Sequence, residues 1–313
     1  MVDFILQIGS ENLNAAVGLV GYGRWGQRHL ATLVKLKAEG HILDLYVCDI
    51  DPTKLNALPN AVNRAFTSLT DMLDEVRVDV LAIATPPQSH LPLAAQASKK
   101  GVHLLVEKPL GADYDETVTF LDALPAATNL AVGYLLRHHP GIEAMRAQVS
   151  AKGRGDFTQF HYKRRTQRPR PQGATPLETL ATHALDLCSL LLKAPLAAFN
   201  LRALTTTDDS AYIELENEDG RLARIDVAWG AEEEARQLIL SGVDGEMELD
   251  FGTHRLIHRP IGIQKDVLMD IGNEQPLYQE WRFLLTSVEE SSGVLVPSRD
   301  ELLDQARWLA NHR

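Results

Sequence analysis

Cysteine is scarce in this chain: Cys48 and Cys188 are the only two in 313 residues, and both sit inside apolar runs. That excludes a disulfide framework and a cysteine-built zinc site. No stretch reaches 18 apolar residues without a charge, so no membrane-spanning helix is expected. H-E-x-x-H and G-x-S-x-G are absent, which leaves neither a zincin metal site nor a nucleophile elbow to expect. Positive charge is in deficit, with 31 Lys and Arg against 42 Asp and Glu for a net charge of −11. A nucleic-acid surface would need a basic stripe, but a small anion in a local basic pocket is compatible with that balance. The opening MVDFILQIGSENLN carries no basic leader and no long apolar run, so it does not read as a signal peptide, and a cytoplasmic protein is expected. What is abundant is ordinary: 45% hydrophobic and 23% charged residues describe a globular chain, and its length suits two domains.

The first half alternates short apolar runs with helical patterns. Strands are expected at 15–20, 43–48, 78–84, 103–107 and 130–134, and helices at 25–38, 68–76, 91–100 and 115–124, with a helical turn at 52–58. Strands apolar on both faces and separated by helices predict a parallel sheet covered on both sides. After a helix at 141–151 the pattern changes. Strands at 157–163, 199–204, 211–215, 222–229, 236–241, 246–250 and 255–258 are joined by Asx-Gly turns such as Asp219-Gly220 and Asp244-Gly245, the mark of antiparallel hairpins. A helix over 177–192 interrupts them, and helices at 278–291 and 299–311 close the chain. The fold class expected is an α/β Rossmann domain over 1–133 and an α+β domain with a largely antiparallel open sheet over 134–313, the last helix packing back on the first domain.

The first strand runs into Gly21-Tyr22-Gly23-Arg24-Trp25-Gly26, a G-x-G-x-x-G loop that opens a helix. Gly21 permits the tight turn, Gly23 lets a pyrophosphate approach the backbone, and Gly26 lets helix and strand pack closely. Asp49 ends the second strand, where a carboxylate accepts the hydroxyls of an adenosine ribose; Asp51 is the runner-up. A carboxylate there repels a 2′-phosphate and Ile50 offers no compensating charge, so NAD is expected, with NADP as the alternative. Ligands of open α/β sheets lie beyond the carboxyl ends of the strands. Thr85-Pro86-Pro87 with His90, and Glu107-Lys108-Pro109, fall there. Pro109 pins Lys108, so its ammonium is aimed.

In order along the chain stand the glycine loop, Asp49, Ala84-Thr85-Pro86-Pro87-Gln88-Ser89-His90, Glu107-Lys108-Pro109 and Gly133-Tyr134 with Arg137-His138-His139-Pro140. In these motifs the chain resembles the Gfo/Idh/MocA family of sugar and cyclitol dehydrogenases, from about residue 14 onward. The resemblance implies that Lys108 contacts a substrate hydroxyl and the nicotinamide ribose, that the Lys108-Pro109 bond is cis, and that the second-domain sheet forms a homodimer or homotetramer. It also implies a catalytic D-x-G-x-H-x-x-D helix. This chain keeps His183 and Asp186 but has Thr179 for the first Asp and Ala181 for the Gly. On a uniform helix 179, 183 and 186 share a face, whereas Glu178 lies about 140° round from His183.

The expected catalytic set is therefore Lys108, His183 and Thr179. His183 acts as the general base, and Asp186 is expected to be structural, to support His183, or to bind substrate. Five cations crowd positions 163–170, and Arg164 and Arg165 are expected on a loop that grips an anionic substrate such as a sugar acid, sugar phosphate or nucleotide sugar. The competing roles for that run are contact with the cofactor of a neighbouring subunit and a solvated or oligomer-contact loop. His139 is expected either to touch substrate or to cap a helix. The function expected is hydride transfer between a nicotinamide and a sugar, cyclitol or related polyol, with no metal. The alternatives are a catalytically impaired NAD(P)-binding regulator, kept open by Thr179, and an NAD-assisted lyase or epimerase.

Overall fold

The computed structural model describes residues 15–150, 157–243, 245–262, 265–290 and 292–312. The opening segment, Ala151 at the end of one expected helix, and Asp244 in one expected turn lie outside the described residues. The chain forms two compact units that interleave along the sequence. One comprises residues through Glu107 with Leu124–Ala131 and Arg282–Val294; the other comprises Lys108–Ala123, Val132–Trp281 and Leu295–Arg313.

The first unit is a parallel sheet of β1 (Ala16–Val20), β2 (Asp44–Cys48), β3 (Arg64–Phe66), β4 (Val80–Ile83), β5 (His103–Val106) and β6 (Leu130–Val132). The strands run side by side as β6-β5-β4-β1-β2-β3, so chain order reverses beside β1, the switch point at which such sheets bind dinucleotides. β1 and β4 are buried along their whole length. This explains their uninterrupted apolar sequences: each fully buried Val, Leu or Ile contributes roughly 1.5–3 kcal/mol only if both sheet faces are covered. The cover includes α1 (Arg24–Ala38), α2 (Leu69–Glu75) and α3 (His90–Ser98). Gly101, at φ +79, follows α3, the left-handed position that ends helices. β3 was not expected from the sequence, because only Phe66 of its three residues is buried and no alternation shows in so short a run.

The second unit carries α4 (Tyr114–Ala123), α5 (Pro140–Ser150) and α6 (Thr182–Leu192). Its sheet is built from β7 (Phe157–Arg165), β8 (Phe199–Thr206), β9 (Ser210–Asn217), β10 (Leu222–Ala228), β11 (Ala235–Gly242), β12 (Gly245–Asp250), β13 (Arg255–Pro260) and β14 (Val267–Met269). The order is β14-β13-β12-β11-β7-β10-β9-β8. Every pairing is antiparallel except β10 with β7. β14 is an edge strand with Val267 and Leu268 exposed, which hid it from a reading based on alternation. The inner sheet face and α6 share one apolar cluster that includes Phe160, Tyr162, Leu238, Leu240, Leu185 and Cys188. α7 (Pro276–Glu289) follows the sheet, and α8 (Arg299–His312) packs on α4 and α6. Arg307 donates to the Tyr114 hydroxyl at 2.6 Å.

The helix expected over 177–192 differs from a uniform α-helix. Leu177–Ala181 is a π-turn, and α6 proper begins at Thr182. Side-chain donors compete for the carbonyls of this turn: Thr182 Oγ1 and the Lys108 ammonium both reach the Glu178 carbonyl, and Lys108 also takes that of Thr179. Such competition is what opens an i→i+4 ladder.

Candidate active site and dinucleotide cradle

The cradle is made of backbone. Gly21 sits at φ +91, and an added Cβ would come within 2.6 Å of the Ala84 carbonyl oxygen. A Cβ at Gly26 would lie 1.8 Å from the Gly21 carbonyl oxygen, so α1 can start this close to β1 only with glycine there. Gly23 has nothing within 4 Å of where its Cβ would be, which leaves the space a pyrophosphate needs at the N-terminus of α1. Arg24 is exposed at the start of that helix, and Trp25 packs under the Arg28 guanidinium at 5.3 Å. These residues fit a dinucleotide.

Asp49 ties the cradle to β2. Its Oδ2 accepts the Tyr22 N–H at 2.7 Å, its Oδ1 accepts the Asp51 N–H at 2.9 Å, and the Lys54 ammonium lies 3.2 Å from both oxygens. Burial alone would raise the Asp49 carboxyl, but these donors outweigh it and hold the group below its ordinary value. Thr85, Pro86 and Pro87 form the turn after β4. Ser89 Oγ bonds Thr85 Oγ1 at 2.7 Å, and His90, buried, meets the Thr85 carbonyl at 2.8 Å. His90 therefore shapes the turn from beneath. Glu107 is buried too, with its Oε1 2.9 Å from His29 Nε2 in α1, so its carboxylate is held inside the fold.

The second unit assembles the chemistry. The Lys108-Pro109 bond is cis. Lys108 Nζ donates to the carbonyls of Thr179 at 2.8 Å and Glu178 at 3.2 Å, which aims it at the π-turn before His183. His183 is part-exposed, and Tyr134 meets its ring edge-on at 6.1 Å. Its Nδ1 is buried and has no hydrogen-bond partner among the described residues. Burial first, then the charges of Lys108 and Arg164, hold the imidazole well below its ordinary pKa. At neutral pH the His183 imidazole is therefore uncharged. Thr179 donates its hydroxyl to the Thr175 carbonyl and accepts from Trp229 Nε1 at 3.4 Å.

β7 extends through Arg165, so the front of the basic run lies on a strand instead of the expected loop, and successive side chains point to opposite faces. Arg164 shares its face with Tyr162 and bears on His183. Arg165 pairs with Asp226 on the other face, at 2.9 Å, so it does not join this group. Arg236 lies opposite Arg164 in register. Burial and then Arg236 lower the Arg164 pKa. Glu234 lies within 3.2 Å of Arg164 and 3.7 Å of Arg236; led by its bond from Thr166, its donors hold its carboxyl down at about 2.

For Asp186 and His139 the geometry fits the structural roles among those expected, not contact with substrate. Asp186 is buried with both oxygens taken: Arg137 binds it in a fork, at 2.7–3.0 Å, and Gln305 donates at 2.6 Å. Its hydrogen bonds to Arg137 and Gln305 anchor α6. His139 is buried, and its Nδ1 accepts the Gly141 N–H at 3.0 Å, so it caps α5 beside Phe251 and His254. Sequence reading missed Arg137 as the Asp186 partner, and also Trp229, Glu234, Arg236 and Lys54. Lys54 lies five residues from Asp49 and Arg236 two from Glu234, while the other partners are distant in sequence.

A model of an oxidoreductase family with an NAD-binding Rossmann fold matches residues 15–134. The chain is 25% identical over 289 residues to UDP-N-acetylglucosamine 3-dehydrogenase of Acidithiobacillus ferrooxidans, covering 88% of this chain and 89% of that protein. It is 25% identical over 231 residues to inositol 2-dehydrogenase 2 of Paenarthrobacter aurescens, 69% of each. The solved structure of the Acidithiobacillus enzyme superposes with a TM-score of 0.79 at 23% identity, over 94% of this chain and 95% of that one. An Agrobacterium radiobacter oxidoreductase solved with NAD+, L-tartaric acid and magnesium superposes at 0.77 with 18% identity, over 95% of each. At such identities the superpositions speak for the fold.

Proposed function

We propose that the chain, whose residues 15–134 match an oxidoreductase family with an NAD-binding Rossmann fold, is an NAD(P)-dependent dehydrogenase or reductase of the Gfo/Idh/MocA kind that acts on a hydroxyl-bearing carbon of a sugar, cyclitol or related polyol that also carries an anionic group. When bound, the nicotinamide supplies or accepts the hydride. His183, uncharged, takes the hydroxyl proton as the alcohol is oxidised and returns it in the reverse direction. Lys108, fixed by two carbonyls, stabilises negative charge developing on the substrate oxygen. Thr179 lines the same turn and carries no charge.

The observation that supports this reading is the pair of cations acting on one imidazole. A nearby cation disfavours the imidazolium form. A carboxylate or phosphate set against Arg164 would cancel much of one such charge and restore basicity to His183 while the substrate is bound. The guanidinium suits the fork geometry of those groups, and the two relatives above act, by their names, on a nucleotide sugar and on a cyclitol.

The test is nicotinamide absorbance in pure protein given NAD or NADP and matched pairs of substrates, each sugar or cyclitol beside its carboxylate, phosphate or nucleoside-diphosphate derivative. The reading predicts turnover with at least one anionic member and at least tenfold lower kcat/KM for its neutral parent. Equal kcat/KM within a pair would remove the anion from the proposal.

A further inference from the structure

Asp49 is the group a ribose diol would seek, yet its carboxylate is already full. A carboxylate offers about four lone-pair sites. Two are used by the backbone N–H groups of Tyr22 and Asp51. Lys54 stands 3.2 Å from both oxygens, on what remains. The carboxylate is buried, its side chain only 5% exposed, while the Lys54 side chain is 44% exposed. The ammonium is therefore the solvent-facing lid of this pair.

The local chain explains the geometry. Asp51 caps the 3-10 turn Pro52–Ala57, its Oδ1 accepting the Thr53 N–H at 3.0 Å and the Thr53 hydroxyl at 2.6 Å. That cap starts the turn three residues before Lys54 and brings its stem back over the end of β2. A lysine on a four-carbon stem with a half-exposed head can be re-aimed at little cost.

We propose that Lys54 sets the nucleotide preference of this cradle: it lies on Asp49 until a cofactor arrives, gives way to the ribose hydroxyls of NAD, and moves onto the 2′-phosphate of NADP, so that both are bound. A bare carboxylate at this position would repel the dianionic 2′-phosphate. With Lys54 beside it the pair is neutral, and the phosphate gains a partner. NAD, in contrast, must displace Lys54 to reach the carboxylate. The positive charge missing from Ile50 is thus supplied from one turn further along.

The test is direct binding of NADH and NADPH to the full chain, by calorimetry or reduced-nicotinamide fluorescence, without substrate. The unaltered protein should bind the two with dissociation constants within about tenfold of each other, a span of 1.4 kcal/mol. Lys54→Met should weaken NADPH at least tenfold and leave NADH unchanged or tighter, while Lys54→Arg keeps the original ratio. The position is half exposed, so neither change threatens folding. A ratio unaltered within twofold in Lys54→Met would overturn the proposal, as would a starting preference for NADH greater than about a hundredfold.

Discussion

The dinucleotide cradle and the Lys108–His183 cluster are built on opposite plans. The cradle is mostly main chain: three glycines, a helix N-terminus, and one carboxylate that receives two backbone N–H groups. The cluster is mostly side chain, drawn from residues 108, 134, 164, 179 and 183, and held by carbonyls of a distorted helical turn. A backbone-built site is fixed by what must be absent, namely Cβ atoms. A site built from side chains is fixed by charges that tune one another.

That contrast can be broken at its strongest point first. Gly26→Val places atoms on the Gly21 carbonyl. Cofactor affinity should drop at least a hundredfold in a binding titration, and the midpoint of thermal unfolding should fall as well. Lys108→Met comes next. Turnover should fall by about two to three orders of magnitude, on the scale of a lost electrostatic stabiliser, while the cofactor dissociation constant stays within a few-fold. A mutant that lost cofactor binding to the same degree would merge the two regions into one.

Arg164→Gln sharpens the comparison further. KM for an anionic substrate should rise about tenfold or more with little change for a neutral one. The acidic limb of the kcat/KM profile should also move up, because a cation that depresses His183 is gone. Thr179→Asp should give the smallest effect, again an upward move of that limb, since a carboxylate favours the imidazolium. Stability offers an independent check. His183 lies well below its ordinary pKa, while burial takes His138 down to about 3 and His139 to about 4. All three bind a proton near pH 6.5 when unfolded but not when folded. The unfolded chain thus takes up more protons, and the thermal midpoint should fall steadily from pH 6.5 towards pH 4.

Legibility in the sequence follows the same division. Fixed spacings and apolar runs announced the parallel sheet, the glycine loop and Asp49, because the physics there is local. Lys108 and His183 were legible through the order of motifs. Arg236 opposite Arg164, Glu234 between them, and the fork that removes Asp186 from the site depend on strand register and long-range packing, which no window of sequence displays. The π-turn was hidden for a similar reason: a carbonyl of the turn is taken by Lys108, some seventy residues away. The face assignment of Arg164 and Arg165 turned on β7 running two residues beyond its apolar part.

The most direct measurement is the pH dependence of kcat/KM for oxidation of the best substrate, in the unaltered protein and in His183→Asn. A neutral imidazole depressed by Lys108 and Arg164 predicts that activity stays level as pH falls through 6.5, and that His183→Asn is slower by at least a hundredfold across the range. Loss of activity centred on pH 6.5, or a His183→Asn protein as fast as the original, would contradict the account.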